Sequence, residues 1–159
     1  MTPIVAVVGG STCTPEEADL AAAVGRLLAE GGAVLVCGGL GGVMEAAARG
    51  ARAAGGLTIG ILPGDDPRAA NRSIAVPLAT GMGEMRNALI VRVAHAIIAI
   101  GGGWGTLSEV ALARRIGTPV VGLRDSFASR VEIPRVATPE DAVAWARRFT
   151  AWSGGDSNP

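Results

Sequence analysis

Short, almost entirely apolar runs, most of them followed directly by glycine, constrain the fold of this chain more than any other feature. A run without polar alternation is typical of a parallel strand that helices cover on both faces. Stretches with helical spacing lie between the runs, so strand and helix alternate along the chain. This alternation predicts an α/β fold, a three-layer Rossmann-like parallel sheet with helices on both faces. The predicted strands are residues 4–8, 33–37, 57–62, 73–76, 96–100, 119–123 and 132–136.

Capping signals place the predicted helices. Thr14 is typical of an N-cap, with Pro15 at the first helical position and Glu17 closing a capping box. No linker or long repeat interrupts the pattern, so we expect a single domain over residues 1–152 and a disordered tail at 153–159. The later predicted helices are 43–54, 83–94, 106–116 and a last one that begins at 138–141 and carries Trp145, Phe149 and Trp152.

The composition excludes several classes of protein. All 14 basic residues are arginine, and a chain without lysine cannot form a Walker-type phosphate loop or hold pyridoxal phosphate as a Schiff base. The 14 acidic residues bring the net charge to zero, which argues against a nucleic-acid coat. The two cysteines and the single histidine, His95, lack the spacing of a metal site, and no metal is expected. No segment suits a membrane or a signal peptide, so we expect a cytoplasmic protein.

Glycine-rich loops follow four of the predicted strands, at residues 9–12, 38–42, 63–64 and 101–105. The carboxyl ends of parallel strands meet at one edge of the sheet, where ligands of such folds bind. Glycine lets the backbone approach a ligand closely, and the helix that follows offers free N–H groups to an anion. Tight turns also use glycine, so one loop indicates little, but the four together favour a phosphate or other oxyanion. The acidic residue of a dinucleotide fingerprint is missing, and NAD is not expected.

Three residues near these loops have alternative interpretations. Thr106 and Glu109 have the spacing of a capping box, in which the Glu109 carboxylate accepts from the Thr106 amide; the alternative is a carboxylate for acid–base chemistry inside an anion site. Arg86 either pairs with Glu84 in solvent or directs its planar guanidinium at a phosphate. Trp104, inside the last glycine loop, either stacks on a ligand ring or packs against a partner subunit.

The motifs at these loops resemble those of a known family. Residues 101–109 (GGGWGTLSE) resemble the PGGxGTxxE signature of the Lonely Guy (LOG) family, which are cytokinin-activating phosphoribohydrolases often mislabelled lysine decarboxylases. Residues 9–12 resemble the first loop of that family, residues 37–45 its GGGxxGLMG loop, and Arg86 the arginine on one of its helices. The resemblance covers about residues 4–123 and implies a homodimer or higher homo-oligomer. The absence of lysine independently disfavours a pyridoxal-dependent decarboxylase.

Several residues depart from the LOG pattern. Gly101 stands in the place of the signature proline, Asn87 follows the arginine where that family has lysine, and Cys37 and Glu45 replace the outer glycines of the second loop. A carboxylate at position 45 weakens phosphate binding unless it turns away. With the stretch 77–87 (PLATGMGEMRN), these departures resemble a sister branch of the superfamily that includes the molybdenum cofactor carrier proteins.

Three functions are compatible with this resemblance. The first is a carrier or sensor that binds a phosphorylated nucleotide or a molybdopterin-type cofactor at the glycine-rich edge without turnover. The second is a LOG-like nucleoside 5′-monophosphate phosphoribohydrolase, in which Arg86 holds the phosphate or ribose and Glu109 assists N-glycosidic cleavage without a cofactor. The third is a scaffold with a vestigial site. The first two use a small phosphorylated ligand, not nucleic acid or a membrane. The predicted ligand-binding residues are Gly10, Ser11, Gly38, Gly39, Gly42, Pro63, Arg86, Asn87, Gly102, Gly103, Gly105 and Thr106.

Overall fold

The computed structural model of the protein describes residues 1–125 and 130–150. Within these ranges the strands are β1 (Ile4–Gly9), β2 (Val34–Cys37), β3 (Thr58–Leu62), β4 (Val76–Ala79), β5 (Ala96–Ile100), β6 (Val120–Leu123) and β7 (Arg135–Val136). The helices are α1 (Pro15–Glu30), α2 (Val43–Ala53), α3 (Asn87–Val93), α4 (Trp104–Ile116) and α5 (Pro139–Arg147). Two short 3-10 turns occupy Pro67–Ala69 and Gly83–Arg86.

All seven strands pair in parallel in one sheet, in the order β4-β3-β2-β1-β5-β6-β7. Alternate residues of β1 belong to different layers. Val5 and Val7 pack with α1, α2 and α5, whereas Ala6 and Val8 pack with α3 and α4. Because both faces of the central strands are covered, their sequences carry no polar alternation. The predicted three-layer Rossmann-like fold is confirmed.

Helices α1 and α2 approach each other closely through glycine. A Cβ on Gly25 of α1 would lie 1.9 Å from the carbonyl oxygen of Ala47, and one on Gly50 of α2 would lie 2.0 Å from that of Ala22. A side chain of any size at either position forces the helices apart. This packing fixes how α1 and α2 leave the loops at the sheet edge.

The structure corrects three predicted elements. The fourth strand is Val76–Ala79 and not 73–76, because the N–H of Ser73 donates to the Asn71 side chain and residues 71–75 turn. The helix predicted at 83–94 is a 3-10 turn followed by α3, and Gly83, with a φ of +61°, cannot be the first residue of a regular α-helix. The last strand is shorter than the predicted 132–136, because Pro134 has no N–H to donate to the sheet.

The last helix is shorter than the sequence predicts. Helix α5 ends at Arg147, so Phe149 lies beyond it, with its ring 4.6 Å from that of Trp145. Trp152 and the predicted tail at 153–159 lie outside the described residues. His95 precedes β5, at the end of the sheet opposite the glycine loops, and its Nδ1 accepts from the N–H of Ile4 at 3.0 Å. In the part of the chain that the structure describes, no helix has the length and apolar character needed to cross a membrane.

Candidate functional site

A cleft of about 780 Å³ opens where the strand order of the sheet reverses. From β1 the chain adds β2, β3 and β4 on one side, then crosses over to add β5, β6 and β7 on the other. The loops that follow β1 and β5 therefore lead to opposite sides of the sheet and leave a crevice between them. The glycine loops after β1, β2, β3 and β5 all reach this crevice.

Helix α4 begins at this cleft with N–H groups that have no hydrogen-bond partner among the described residues. Its N-cap is Gly103, which has no side chain to accept from them. The N–H groups of Trp104, Gly105 and Thr106 have no partner within the helix. These donors and the positive end of the helix dipole together form a surface suited to an anion.

The capping-box interpretation of Glu109 is wrong. Helix α4 begins at Trp104, two residues earlier than predicted, so Thr106 lies in the first turn and not at the N-cap. Glu109 is only 6% exposed, lines the cleft and accepts no hydrogen bond among the described residues. Its carboxylate is therefore available to a ligand or a water molecule.

Arg86 is not the solvated partner of Glu84. The residue is 8% exposed, at the end of the 3-10 turn that leads into α3, and its side chain lines the cleft. Its Nη1 donates to Oδ1 of Asn87 and lies 4.0 Å from Oε1 of Glu109. Its Nε is buried without a hydrogen-bond partner among the described residues. A guanidinium that the protein satisfies only in part is a strong donor for an incoming anion.

Burial shifts the pKa of both members of this pair. It raises the pKa of the Glu109 carboxyl from 4.5 to about 7, against the opposing attraction of Arg86. It also lowers the pKa of the Arg86 guanidinium, which the nearby Glu109 partly restores. A carboxyl that titrates near neutral pH can donate or accept a proton under the conditions of the cell.

Gly38 makes room for the guanidinium. A Cβ at this position would lie 2.7 Å from Nη1 and 2.9 Å from Nη2 of Arg86, and 2.6 Å from Sδ of Met44. The glycine after β2 therefore has a role that its sequence context did not reveal: it leaves space for a side chain of another loop.

Most of the predicted ligand-binding residues line the cleft, and two of them do not. Gly39 and Gly42, with φ of +77° and +64°, do not line the cleft. A Cβ on Gly39 would meet Leu62, and one on Gly42 would meet the carbonyl oxygen of Gly10, so both residues serve the packing of the loop. The predicted residues that line the cleft are Gly10, Ser11, Gly38, Pro63, Arg86, Asn87, Gly102, Gly103, Gly105, Thr106 and Glu109.

Two side chains that sequence reasoning assigned only to a helix cap also line the cleft. Oγ1 of Thr14 accepts from the N–H of Glu17 at 3.1 Å, as the capping signal predicts, and the same hydroxyl donates to the Glu17 carboxylate at 3.2 Å. Because the helix cap at Thr14 follows the first glycine loop directly, it must lie at the edge of the sheet where ligands bind. This position in the sequence could have identified Thr14 and Glu17 as cleft residues. Glu45, by contrast, is exposed and does not line the cleft.

The cysteines differ in their access to this site. Cys13 lines the cleft, whereas Cys37 is fully buried below it. Burial raises the pKa of the Cys37 thiol to about 11. Cys37 is therefore a protonated core residue at neutral pH.

Two solved structures of similar fold come from proteins that bind or carry the molybdenum cofactor. The molybdenum cofactor binding protein of the phototrophic bacterium Rippkaea orientalis is 36% identical to this chain, with a TM-score of 0.85, over 93% of this chain and 97% of its own. The molybdenum cofactor carrier protein of Chlamydomonas reinhardtii is 30% identical, with a TM-score of 0.83, over 95% of this chain and 99% of its own.

Sequence relatives give the same grouping. An uncharacterized protein of Archaeoglobus fulgidus is 44% identical over 140 residues, which is 87% of this chain and 91% of the relative. The model of the SLOG cluster4 family matches residues 2–146. These matches confirm the resemblance to a branch beside the LOG enzymes, and the chain belongs to the SLOG cluster4 family.

Proposed function

We propose that this protein binds a phosphorylated cofactor of the molybdopterin type in the cleft and carries it without turnover. The observation that carries the proposal is the Arg86 guanidinium, almost wholly buried in the cleft wall, with Nε unpartnered among the described residues. A buried N–H without a partner costs about 1–3 kcal/mol. An anion in the cleft adds acceptors beside this under-satisfied group.

The phosphate of such a ligand has a second set of donors. The free N–H groups at the start of α4 lie in the same cleft wall as Arg86. Among the described residues, the other charged side chains of the lining are Glu17, Glu84 and Glu109, so the lining adds no positive charge beyond that of Arg86. Recognition of the phosphate therefore depends on one arginine and on backbone N–H groups, which suits a single phosphate more than a chain of them.

The size of the cleft and the relatives support the same ligand class. A volume of about 780 Å³ lies within the range of small-molecule and cofactor sites. The similar proteins of R. orientalis and C. reinhardtii bind or carry the molybdenum cofactor. With such a ligand, Arg86 and the start of α4 bind the phosphate, Gly10 and Ser11 also line the cleft, and the protein carries the cofactor without altering it.

Anaerobic equilibrium dialysis with molybdenum cofactor tests the proposal, with molybdenum and bound phosphorus counted per chain. We expect saturable binding of one cofactor per chain. Arg86→Gln removes charge-assisted hydrogen bonds and is expected to weaken binding roughly tenfold to hundredfold. Arg92→Gln is the matched control, because Arg92 is an exposed arginine on α3 outside the cleft. Equal losses in both variants, or no saturable binding by the wild type, would refute the carrier function.

A phosphoribohydrolase is the second candidate, and the Arg86–Glu109 pair is the observation that favours it. A carboxyl with a pKa of about 7, 4.0 Å from an arginine, can activate water or stabilise positive charge on a ribose. The test is base release from a panel of nucleoside 5′-monophosphates, read by chromatography. Release that disappears in Glu109→Gln supports the hydrolase, whereas a carrier binds its ligand and releases no base.

A further inference from the structure

Trp104 is an exposed aromatic side chain at the cleft, and the core of the protein does not explain it. The residue is 78% exposed, although it lines the cleft and begins α4. An indole left in water forgoes the free energy of burial that a ring of this size normally contributes. A large apolar face kept open beside a polar cleft indicates a surface that binds something flat.

One face of the indole already contacts the guanidinium of an arginine side chain. The guanidinium carbon of Arg130 lies 5.4 Å from the ring centroid, a cation–π distance. Arg130 lies over one face of the ring, and because the residue is 78% exposed, most of the indole is accessible to a ligand. This contact also adds a positive charge beside the cleft, which the lining itself supplies only through Arg86.

The position of Trp104 links this face to the anion donors. The backbone N–H of Trp104 is one of the free donors at the start of α4, so the stacking face and the anion site share one residue. A ligand that uses both must carry a flat ring within a short covalent distance of a phosphate. Phosphorylated pterins and purine nucleoside monophosphates have this construction, whereas sugar phosphates have the phosphate alone.

We infer that the indole of Trp104 is the stacking platform for the planar ring of the ligand and that it selects ring-bearing phosphates over sugar phosphates. This inference rests on the proposed function, because it assigns a ring subsite within the same cleft. The ring binds by stacking, which tolerates different bicyclic rings, and the phosphate binds to α4 and Arg86. Trp104 is therefore a specificity-determining residue that neither proposed chemistry requires.

The test titrates two ring-bearing phosphates, molybdopterin and GMP, and one phosphate without a ring, ribose 5-phosphate, into the wild type, two Trp104 variants and one control variant. The two Trp104 variants are Trp104→Ala and Trp104→Phe. We expect Trp104→Ala to bind molybdopterin about 5- to 150-fold more weakly, the range of base–aromatic stacking, and to bind ribose 5-phosphate as the wild type does. Trp104→Phe keeps an aromatic face and should recover most of the affinity. Trp145→Phe, at a half-buried position on α5, is the control for loss of an indole elsewhere.

The outcomes separate this inference from the proposed function. Equal molybdopterin affinity in Trp104→Ala and wild type overturns the platform, even if the protein remains a carrier. Equal losses for molybdopterin and ribose 5-phosphate also overturn it, because the ring is then not what Trp104 recognises. If Trp104→Ala changes the mass of the oligomer in solution but not the affinity for the ligand, Trp104 contacts a partner subunit, and the platform is likewise overturned. If the wild type binds GMP but not molybdopterin, the carrier proposal fails and the same variants decide the platform with GMP; if it binds neither, both fail.

Discussion

Glu109→Gln should stabilise the protein at alkaline pH and have little effect at acid pH. Burial raises the pKa of the Glu109 carboxyl from 4.5 to about 7, so the folded protein holds this proton more tightly than the unfolded chain does. The stabilisation from the bound proton is complete below about pH 4.5 and disappears as the pH rises through about 7. Glutamine is neutral and nearly isosteric, so the variant does not lose this contribution.

The size of the effect follows from the shift. A change from 4.5 to about 7, at about 1.4 kcal/mol for each pKa unit, corresponds to about 3 kcal/mol when the pH is well above 7. The attraction of Arg86, 4.0 Å away, is already included in that pKa. Part of the difference is present at about pH 5, so the advantage of Glu109→Gln should grow by about 2 to 3 kcal/mol between about pH 5 and about pH 8.5.

Urea unfolding of wild type and variant at the two pH values measures this difference. With a slope of about 2 kcal/mol per molar urea, the midpoint of the variant should move by about 1 M relative to wild type. Glu45→Gln, at an exposed position on α2, is the control and should show little pH-dependent change. An advantage of Glu109→Gln that is the same at both pH values would refute the argument, because the carboxyl would then not be desolvated in the apo protein.

Three further predictions concern the ligand and the helix packing. Cofactor affinity should fall as the pH rises above about 7, approaching tenfold per pH unit, because a bound phosphate dianion disfavours ionised Glu109. Equilibrium dialysis across the pH range measures this fall, and the affinity of Glu109→Gln should not change with pH in the same experiment. Gly38→Ala places a methyl group 2.7 Å from Nη1 of Arg86 and should weaken cofactor binding about tenfold, measured beside its urea midpoint to separate affinity from stability. Gly25→Ala should destabilise the protein by about 2 kcal/mol or more, whereas Gly64→Ala, which has open space, should change stability by less than about 0.5 kcal/mol in the same unfolding experiment.

The sheet edge could be predicted from the sequence because topology alone determines it. In a parallel sheet every strand ends at the same edge, so the glycine loops after β1, β2, β3 and β5 had to meet there. No such rule fixes the limits of short edge elements. The true fourth strand, Val76–Ala79, contains a proline and is largely exposed, so its pattern does not stand out from the neighbouring turn. The local hydrogen bond from Ser73 to Asn71 turns the chain before this strand. Two hydrogen bonds of Thr58, to Ser73 and from Ala75, then decide its start, and these connect residues 15 and 17 positions apart in the sequence.

The roles of Glu109 and Arg86 could not be predicted for a different reason. A glutamate three residues after a threonine has the same spacing whether it caps a helix or faces a cleft. The decision depends on where α4 begins, and the backbone after β5 sets that point at Trp104. The contact between Glu109 and Arg86 joins α4 to the 3-10 turn before α3, and no periodicity in either segment indicates it.

Asn87, which stands where the LOG family has lysine, contacts Arg86 directly in the structure. Its Oδ1 accepts from Nη1 of Arg86, which orients the guanidinium while leaving its charge intact. A lysine in this place has no acceptor atom, so the arginine would lose this partner and gain a second cation beside it. With Asn87 in place, Glu109 is the only nearby carboxylate that forms an ion pair with Arg86 among the described residues, and at 4.0 Å without a hydrogen bond it neutralises that charge only in part. The pair thus leaves one oriented, incompletely balanced positive charge in a cleft wall that otherwise offers backbone N–H groups. That arrangement favours the binding of a single phosphate, and it makes the affinity for that phosphate depend on whether Glu109 is protonated.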